Sequence, residues 1–157
     1  MIQRILLFKI EMEISVKTFD ELTTYELHDL LQLRSEVFVV EQDCVYQDID
    51  GKDKKAIHVV GKKDDEIVAY TRCFPPGIYF KEAAIGRVVV AEKQRKFGYG
   101  HDIMQASKEA ILQKYNTASI KLSAQTYLVR FYESHGFKVT GEEYLEDGIP
   151  HIAMITT

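Results

Sequence analysis

Hydrophobic positions recur along the chain with two periods, and the switches between them mark out its elements. In Glu13–Phe19, Ile14, Val16 and Thr18 alternate with polar residues, the two-residue period of a half-buried strand. Thr23-Thr24-Tyr25-Glu26 then reads as a capping box: a threonine oxygen accepts from the amide three residues on, and Glu26 reaches back. Behind it Leu27, Leu30, Leu31, Arg34, Val37 and Phe38 fall at helical spacing, which predicts a helix to about Gln42. Asp43–Lys55 is polar and carries Gly51, so it is expected as a surface loop.

Two strand-like runs, Ala56–Lys63 and Glu66–Phe74, flank Asp64-Asp65 and predict a hairpin that Pro75-Pro76-Gly77 ends. Ala83–Ala91 is almost continuously apolar and β-branched, the composition of a central strand buried on both faces. From Gly98 to about Tyr115, Ile103, Met104, Ser107, Ala110 and Ile111 mark one face of a helix. Ser119–Ala124 is a further strand, and Tyr127–His135 a short helix closed by Gly136. Phe137–Tyr144 and Ile149–Ile155, joined through Glu146-Asp147-Gly148, read as a closing hairpin. The order β-α-ββ-β-α-β-α-ββ predicts an α+β (mixed α/β) fold, a twisted sheet of mixed direction flanked by helices.

Composition narrows the function classes. The 157 residues suit one domain, placed at 12–157, with 1–11 as a short N-terminal extension. In that extension Arg4 precedes an apolar run that Lys9 and Glu11 interrupt, with no small-residue cleavage site after it, and Met12 is an alternative start. No run approaches the ~18 apolar residues of a membrane span. Cys44 and Cys73 lie outside any CxxC or Cys/His spacing, so neither a disulfide scaffold nor a zinc site is expected, and two free thiols fit the cytoplasm. Twenty Lys and Arg against 24 Asp and Glu give a net charge of −4, which lacks the basic character of a nucleic-acid binder and leans towards cationic partners, amines included.

The chemistry concentrates in Ile85–Gly100, where a buried strand, a basic glycine-bearing turn and a helix follow in direct succession. Amides at a helix start lack internal partners and the helix dipole favours anions there. Gly98 and Gly100 let a phosphate approach the main chain, while Arg95 and Lys96 add charge-assisted donors. The turn is therefore suited to a pyrophosphate. It lacks the Gly-Lys-Ser/Thr ending of a P-loop, and the third glycine of the dinucleotide fingerprint would fall near Ile103.

Arg95-Lys96-Phe97-Gly98-Tyr99-Gly100 resembles the R/Q-x-x-G-x-G/A acyl-CoA signature of the GNAT (Gcn5-related) N-acetyltransferases, and the element order is similar to that fold. Leu31–Gln42, Tyr46–Gly51 and Glu146–Ile152 resemble the ElaA-like branch, and the likeness runs from about Met12 to the C-terminus. The resemblance implies acetyl transfer from acetyl-CoA, without a metal, to an amine on a small molecule, peptide or protein. It implies that Val88, Val89 and Val90 offer backbone groups to the pantetheine arm, and that the segment Arg95, Lys96, Phe97, Gly98, Tyr99, Gly100 and His101 holds the pyrophosphate. Phe131–Phe137 matches the family's segment bearing the tyrosine that protonates the departing thiolate, here Tyr132. Gln125 and Tyr127, just past the strand that follows the loop, are expected as further contacts to cofactor or substrate. A core aromatic is the other role open to Tyr132.

An amine with pKa ~10.4 costs about 4 kcal/mol to deprotonate at neutral pH, so some group must accept a proton. The glutamate base of histone-acetylating members would fall at Ala84, which departs from that pattern. Glu82, Glu41, His58, His151 or a water chain remain as candidates. Asp48–Asp53 resembles the start of a calcium loop, but Asp53 and Val59 stand where the loop glycine and glutamate belong. A tight acidic turn, or a rim attracting a cationic substrate, are the other readings. Arg34, Arg72 and Arg87, in apolar stretches, are expected to pair with carboxylates such as Glu36 or Glu41, or to hold an anionic part of the acceptor. The alternative to an enzyme is a non-catalytic module that senses acyl-CoA or docks a partner protein. A homodimer is the default assembly.

Overall fold

The computed structural model of the chain describes residues 12–157; the reading of 1–11 as an extension lies outside them. Seven strands form one mixed sheet in the order β1-β2-β3-β4-β5-β7-β6. β1 (Glu13–Thr18), β2 (Ile57–Lys63), β3 (Glu66–Phe74) and β4 (Ala83–Val90) are successively antiparallel. β5 (Ile120–Gln125) joins β4 in parallel, and β6 (Lys138–Glu146) and β7 (Ile149–Thr156) complete the far side. Three helices pack on this sheet: α1 (Thr24–Arg34), α2 (Tyr99–Tyr115) and α3 (Val129–Glu133). The mixed sheet with flanking helices is the one the hydrophobic periods predict.

Strand alternation assigns the layers. Val59 on β2 and Ala69 on β3 face a core built with Ile103, Met104 and Ile111 of α2, whereas their neighbours Val60 and Tyr70 face Leu30 and Leu33 of α1. Covering both faces of β2 and β3 explains why those strands are apolar almost throughout. Both predicted hairpins turn on residues with left-handed backbone, Asp64 and Asp65 at φ 51° and 64° and Asp147 and Gly148 at φ 49° and 78°, as two-residue hairpins require.

The capping box forms: Glu26 N–H donates to Thr23 Oγ1 at 3.0 Å and Thr23 N–H to Glu26 Oε1 at 3.0 Å. The predicted single helix to Gln42 does not stay α-helical. Beyond Arg34 it widens into a π-helical stretch, Ser35–Glu41, with Gln42 N–H bonded to Val37 O at 3.2 Å and Cys44 N–H to Val39 O at 3.1 Å. The wider coil keeps Val37 in the core and brings Phe38, Glu41 and Gln42 to the cavity described below; π-helical segments recur at such functional positions.

Two expectations need correction. Ala83–Ala91 is buried on both faces only in part, because Gly86, Arg87 and Val88 are half-exposed. The register explains this: Tyr70 opposes Val89 and Arg72 opposes Gly86, so β4 carries one extra residue at a bulge where Arg87 has φ 49°. Past the bulge β4 and β5 diverge, and their aligned pairs are Ala83 with Ile120 and Ala84 with Lys121. The second correction concerns Asp43–Lys55, which lies at the surface as expected, with Asp43, Val45, Gln47 and Ile49 exposed, but whose acidic side chains do not all face solvent. It folds back over the sheet, burying Asp48 and Asp53 against Arg34 and Arg72. Arg34 donates from Nε to Asp48 at 2.9 Å and from Nη1 to Asp53 at 2.8 Å; Arg72 binds both oxygens of Asp50 at 2.8 and 2.9 Å and reaches Asp53 at 3.1 Å. The arginines thus pair with the loop aspartates rather than with Glu36 or Glu41, since desolvated guanidinium groups require nearby carboxylates.

Candidate active site

The divergence of β4 from β5 opens a cavity of about 970 Å³. Gly86, Arg87, Val88 and Val90 of β4 form one wall, Leu122, Ser123 and Gln125 of β5 another, and Leu128, Phe131 and Tyr132 close it from the α3 side. Val88 and Val90 line the cavity, while Val89 turns its side chain into the core beneath α1.

At one end lie Arg95, Gly98, Gly100 and His101. Gly98, with φ 75°, ends a short 3₁₀ segment (Glu92–Phe97) and starts α2. A Cβ added at Gly98 would meet no atom within 4 Å, and at Gly100 it would come within 3.5 Å of Phe131. His101 N–H and Asp102 N–H are used on Gly98 O at 3.1 and 3.4 Å. Among the described residues, the amides of Gly98, Tyr99 and Gly100 donate to no carbonyl outside their own helices, and these are orphan donors of a helix start. The predicted donor set of 96 to 101 thus narrows, and His101 leaves it as an amide donor.

The side chains of Lys96, Phe97 and Tyr99 are not in the cavity wall. Lys63 Nζ lies over the Phe97 and Tyr99 rings at 4.1 and 5.5 Å, and Lys96 Nζ over Phe97 at 5.2 Å, so this aromatic pair packs beside the β2–β3 hairpin. Arg95 is in the wall but engaged, donating to Glu41 Oε2 at 2.8 Å and to Val90 O at 3.1 Å. His101 faces His135, Nδ1 to Nε2 at 2.9 Å; burial and the neighbouring His101 and Lys108 hold the His135 pKa below the ordinary histidine value.

Tyr132 is 5% exposed, and its hydroxyl makes no hydrogen bond among the described residues. Burial pushes its pKa above the usual tyrosine value, keeping the phenol protonated. Gln125 Nε2 reaches Gln42 Oε1 at 3.4 Å across the cavity rim.

The proton-acceptor candidates separate. His58 is fully buried, with Nδ1 2.6 Å from Tyr70 Oη and Nε2 2.9 Å from the Asp53 carbonyl oxygen, so it serves the loop-to-sheet packing. Burial lowers its pKa, which keeps it neutral there. Glu82 lies outside the cavity wall, and Glu41 is held by Arg95. His151 does line the cavity: Nδ1 is 2.7 Å from Ile149 O, Nε2 is 3.2 Å from Glu146 Oε2, and its ring stacks on Tyr144. Tyr144 Oη in turn bonds Ser123 Oγ.

Sequence reasoning missed the aromatic part of the wall, formed by Tyr46, Phe74, Tyr79, Phe80 and Tyr144. The available signal was Phe74-Pro75-Pro76-Gly77, since the Gly77 N–H to Phe80 O turn at 2.8 Å folds Tyr79 and Phe80 back over Phe74. No three His, Cys, Asp or Glu side chains among the described residues cluster as metal ligands. No helix among them is long and apolar enough to cross a membrane.

Residues 21–157 match the family model of the acetyltransferase (GNAT) domain. The chain belongs to the GNAT acetyltransferase family. Within it the chain falls in the ElaA-like branch: it is 44% identical to protein ElaA of Escherichia coli K12 over 136 residues, covering 85% of this chain and 89% of that one. The crystal structure of E. coli ElaA superposes with a TM-score of 0.87 at 40% identity, covering 93% of this chain and 99% of that one. An acyl-CoA N-acyltransferase from Pseudomonas aeruginosa gives the same TM-score, 0.87, at 39% identity, covering 92% and 99%. As a GNAT acyltransferase, the chain is an acyl-CoA-dependent N-acyltransferase in general terms.

Proposed function

We propose that this GNAT protein transfers the acetyl group of acetyl-CoA to a primary amine by direct attack. The observation that carries the reading is the β4–β5 opening, with orphan amides at one end and a buried, unpartnered phenol inside it. Gly98, Tyr99 and Gly100 N–H groups, aided by the α2 dipole, would take the pyrophosphate. Backbone groups of Val88 and Val90 would hold the pantetheine arm, and an amide near Val88 would polarise the thioester carbonyl. Arg95 acts on the loop through Glu41 and Val90 rather than as a free donor.

The balance of the step is simple. A nitrogen–carbon bond forms, the carbon–sulfur bond breaks, Tyr132 gives its proton to the thiolate, and the nitrogen loses a proton. Among the acceptors weighed, His151 fits that last role, because it alone borders the cavity without a basic partner. The buried free cysteines Cys44 and Cys73 suit the cytoplasm. A free-thiol assay across amino acids, polyamines, aminoglycosides and peptide N-termini tests the proposal; acceptor-dependent release of CoA is expected, and retention of the acetyl group with every acceptor contradicts it.

A further inference from the structure

The acidic character read into residues 48 to 53 is cancelled in the folded protein. Arg34, Arg72 and Arg87 neutralise Asp48, Asp50 and Asp53. Lys52 then stands over, because no carboxylate among the described residues lies within ion-pair distance of it. Its Nζ is 4.3 Å from the Tyr79 ring centroid, in the cavity wall. This corner of the cavity therefore carries excess positive charge, not the negative rim expected.

Arg87 is placed to use that charge. It has a left-handed backbone, φ 49°, in the middle of a strand, a conformation costing about 1–3 kcal/mol in a non-glycine residue and concentrated at functional sites. Its Nη2 donates to Asp48 O at 3.0 Å and lies 3.5 Å from Asp50 Oδ2; Nε lies 2.7 Å from Asp48 Oδ1 without the alignment of a hydrogen bond. Tyr46 stacks against the guanidinium at 5.5 Å. Nη1 makes no hydrogen bond among the described residues, and the exposed fifth of the side chain belongs to a residue that lines the cavity. A clamped guanidinium with one free edge is preorganised for an incoming oxyanion. In the same cavity Phe74, under the Arg72 guanidinium, and Tyr79, under Lys52, supply an aromatic surface that Phe80 extends.

We propose that the acceptor is an α-amino acid or a close analogue with an aromatic or large apolar side chain, its carboxylate held by Arg87 and Lys52 beside the Phe74–Tyr79–Phe80 wall. The inference rests on the acyl-transfer reading. Glu146 and Asp147 in the β6–β7 turn supply negative charge for the ammonium end. The ammonium form must release one proton to solvent before attack, and the cavity-facing His151 takes the second as the nitrogen–carbon bond forms.

The test compares phenylalanine, phenylalaninamide and phenethylamine as acceptors in the thiol-release assay, with wild type, Lys52→Gln and Arg87→Lys. Wild type is expected to prefer phenylalanine over phenethylamine by at least about tenfold in kcat/KM, the loss of one charge-assisted contact. Lys52→Gln alters a surface side chain and should lower that preference severalfold through KM. Arg87→Lys keeps the charge but loses the planar fork, and should lower it too. Calorimetric titration of the same compounds into CoA-saturated protein reads the preference without turnover. Equal or better handling of phenethylamine in both assays, or a preference unchanged in both variants, overturns the proposal while leaving acetyl transfer standing. Absence of thiol release with all acceptors, alongside selective phenylalanine binding, would instead sink the acyl-transfer reading alone.

Discussion

Arg95 donates to Glu41 at 2.8 Å, tying the segment before α2 to the π-helical end of α1. The pair is partly exposed, with 44% and 32% of the two side chains open, so its direct contribution to stability is small. Its electrostatic effect is of another kind: Glu41 offsets the positive charge beside the loop amides. Glu41→Gln is therefore expected to tighten CoA binding by about two- to threefold, with Tm unchanged within about 2 °C. Calorimetry and thermal unfolding check this; weaker binding would mean the pair shapes the loop rather than tuning its charge.

Tyr132→Phe removes a hydroxyl that has no partner among the described residues, so folding loses nothing with it. Turnover is expected to fall by about 10²-fold, the range of a lost general acid, with the Kd for CoA within about twofold. Steady-state kinetics beside calorimetry separate the two quantities. A parallel collapse of CoA affinity would make the tyrosine a packing residue.

His151→Gln keeps a side chain able to bond Ile149 O and Glu146. If His151 accepts the proton, kcat/KM of the variant falls by about 10²-fold while the Kd for CoA stays within about twofold. Steady-state kinetics beside calorimetry read this, and an unchanged kcat/KM in the variant assigns the proton to another group.

Glu26 links α1 to the sheet through Lys17 at 2.8 Å and Lys62 at 3.1 Å. Burial opposes its charge, yet hydrogen bonds from Lys17, the Thr23 amide and Lys62 outweigh that and lower its pKa from 4.5 to about 2. A depressed carboxylate contributes stability that is complete above the unfolded value and lost as pH falls through the folded one. The Tm deficit of Glu26→Gln relative to wild type should thus shrink between pH 4.5 and about 2. Thermal unfolding across that window checks the sign; a constant deficit would place the contribution in packing.

The sheet, helices and hairpins were legible because their signals are local. Alternation in Glu13–Phe19, the Thr23–Glu26 box and the Ile103–Ile111 face each follow from spacing within a few residues. The role of Asp48–Asp53 was not, because its charge is cancelled by Arg34, Arg72 and Arg87, residues far away in sequence. The β4 bulge was equally hidden: Arg87 in a β-branched run carries no mark of a left-handed backbone, and only the register against β3 reveals it. At the start of α2, Gly98 and Gly100 stood out because glycine permits a close approach to the main chain. The inward or outward turn of Phe97 and Tyr99 depended on Lys63, a partner on another hairpin.

In the proposed reaction the amides at Gly98–Gly100 hold the diphosphate of acetyl-CoA. Asparagine and aspartate both tolerate the φ of 75° at Gly98, and neither would meet an atom within 4 Å of its Cβ. They differ in charge alone. Calorimetric titration of acetyl-CoA into wild type, Gly98→Asn and Gly98→Asp is therefore the most direct measurement. Micromolar binding by the wild type, at most about a tenfold loss with asparagine and at least about a hundredfold loss with aspartate are expected. Equal affinity in all three proteins, or no binding by the wild type, would contradict the account.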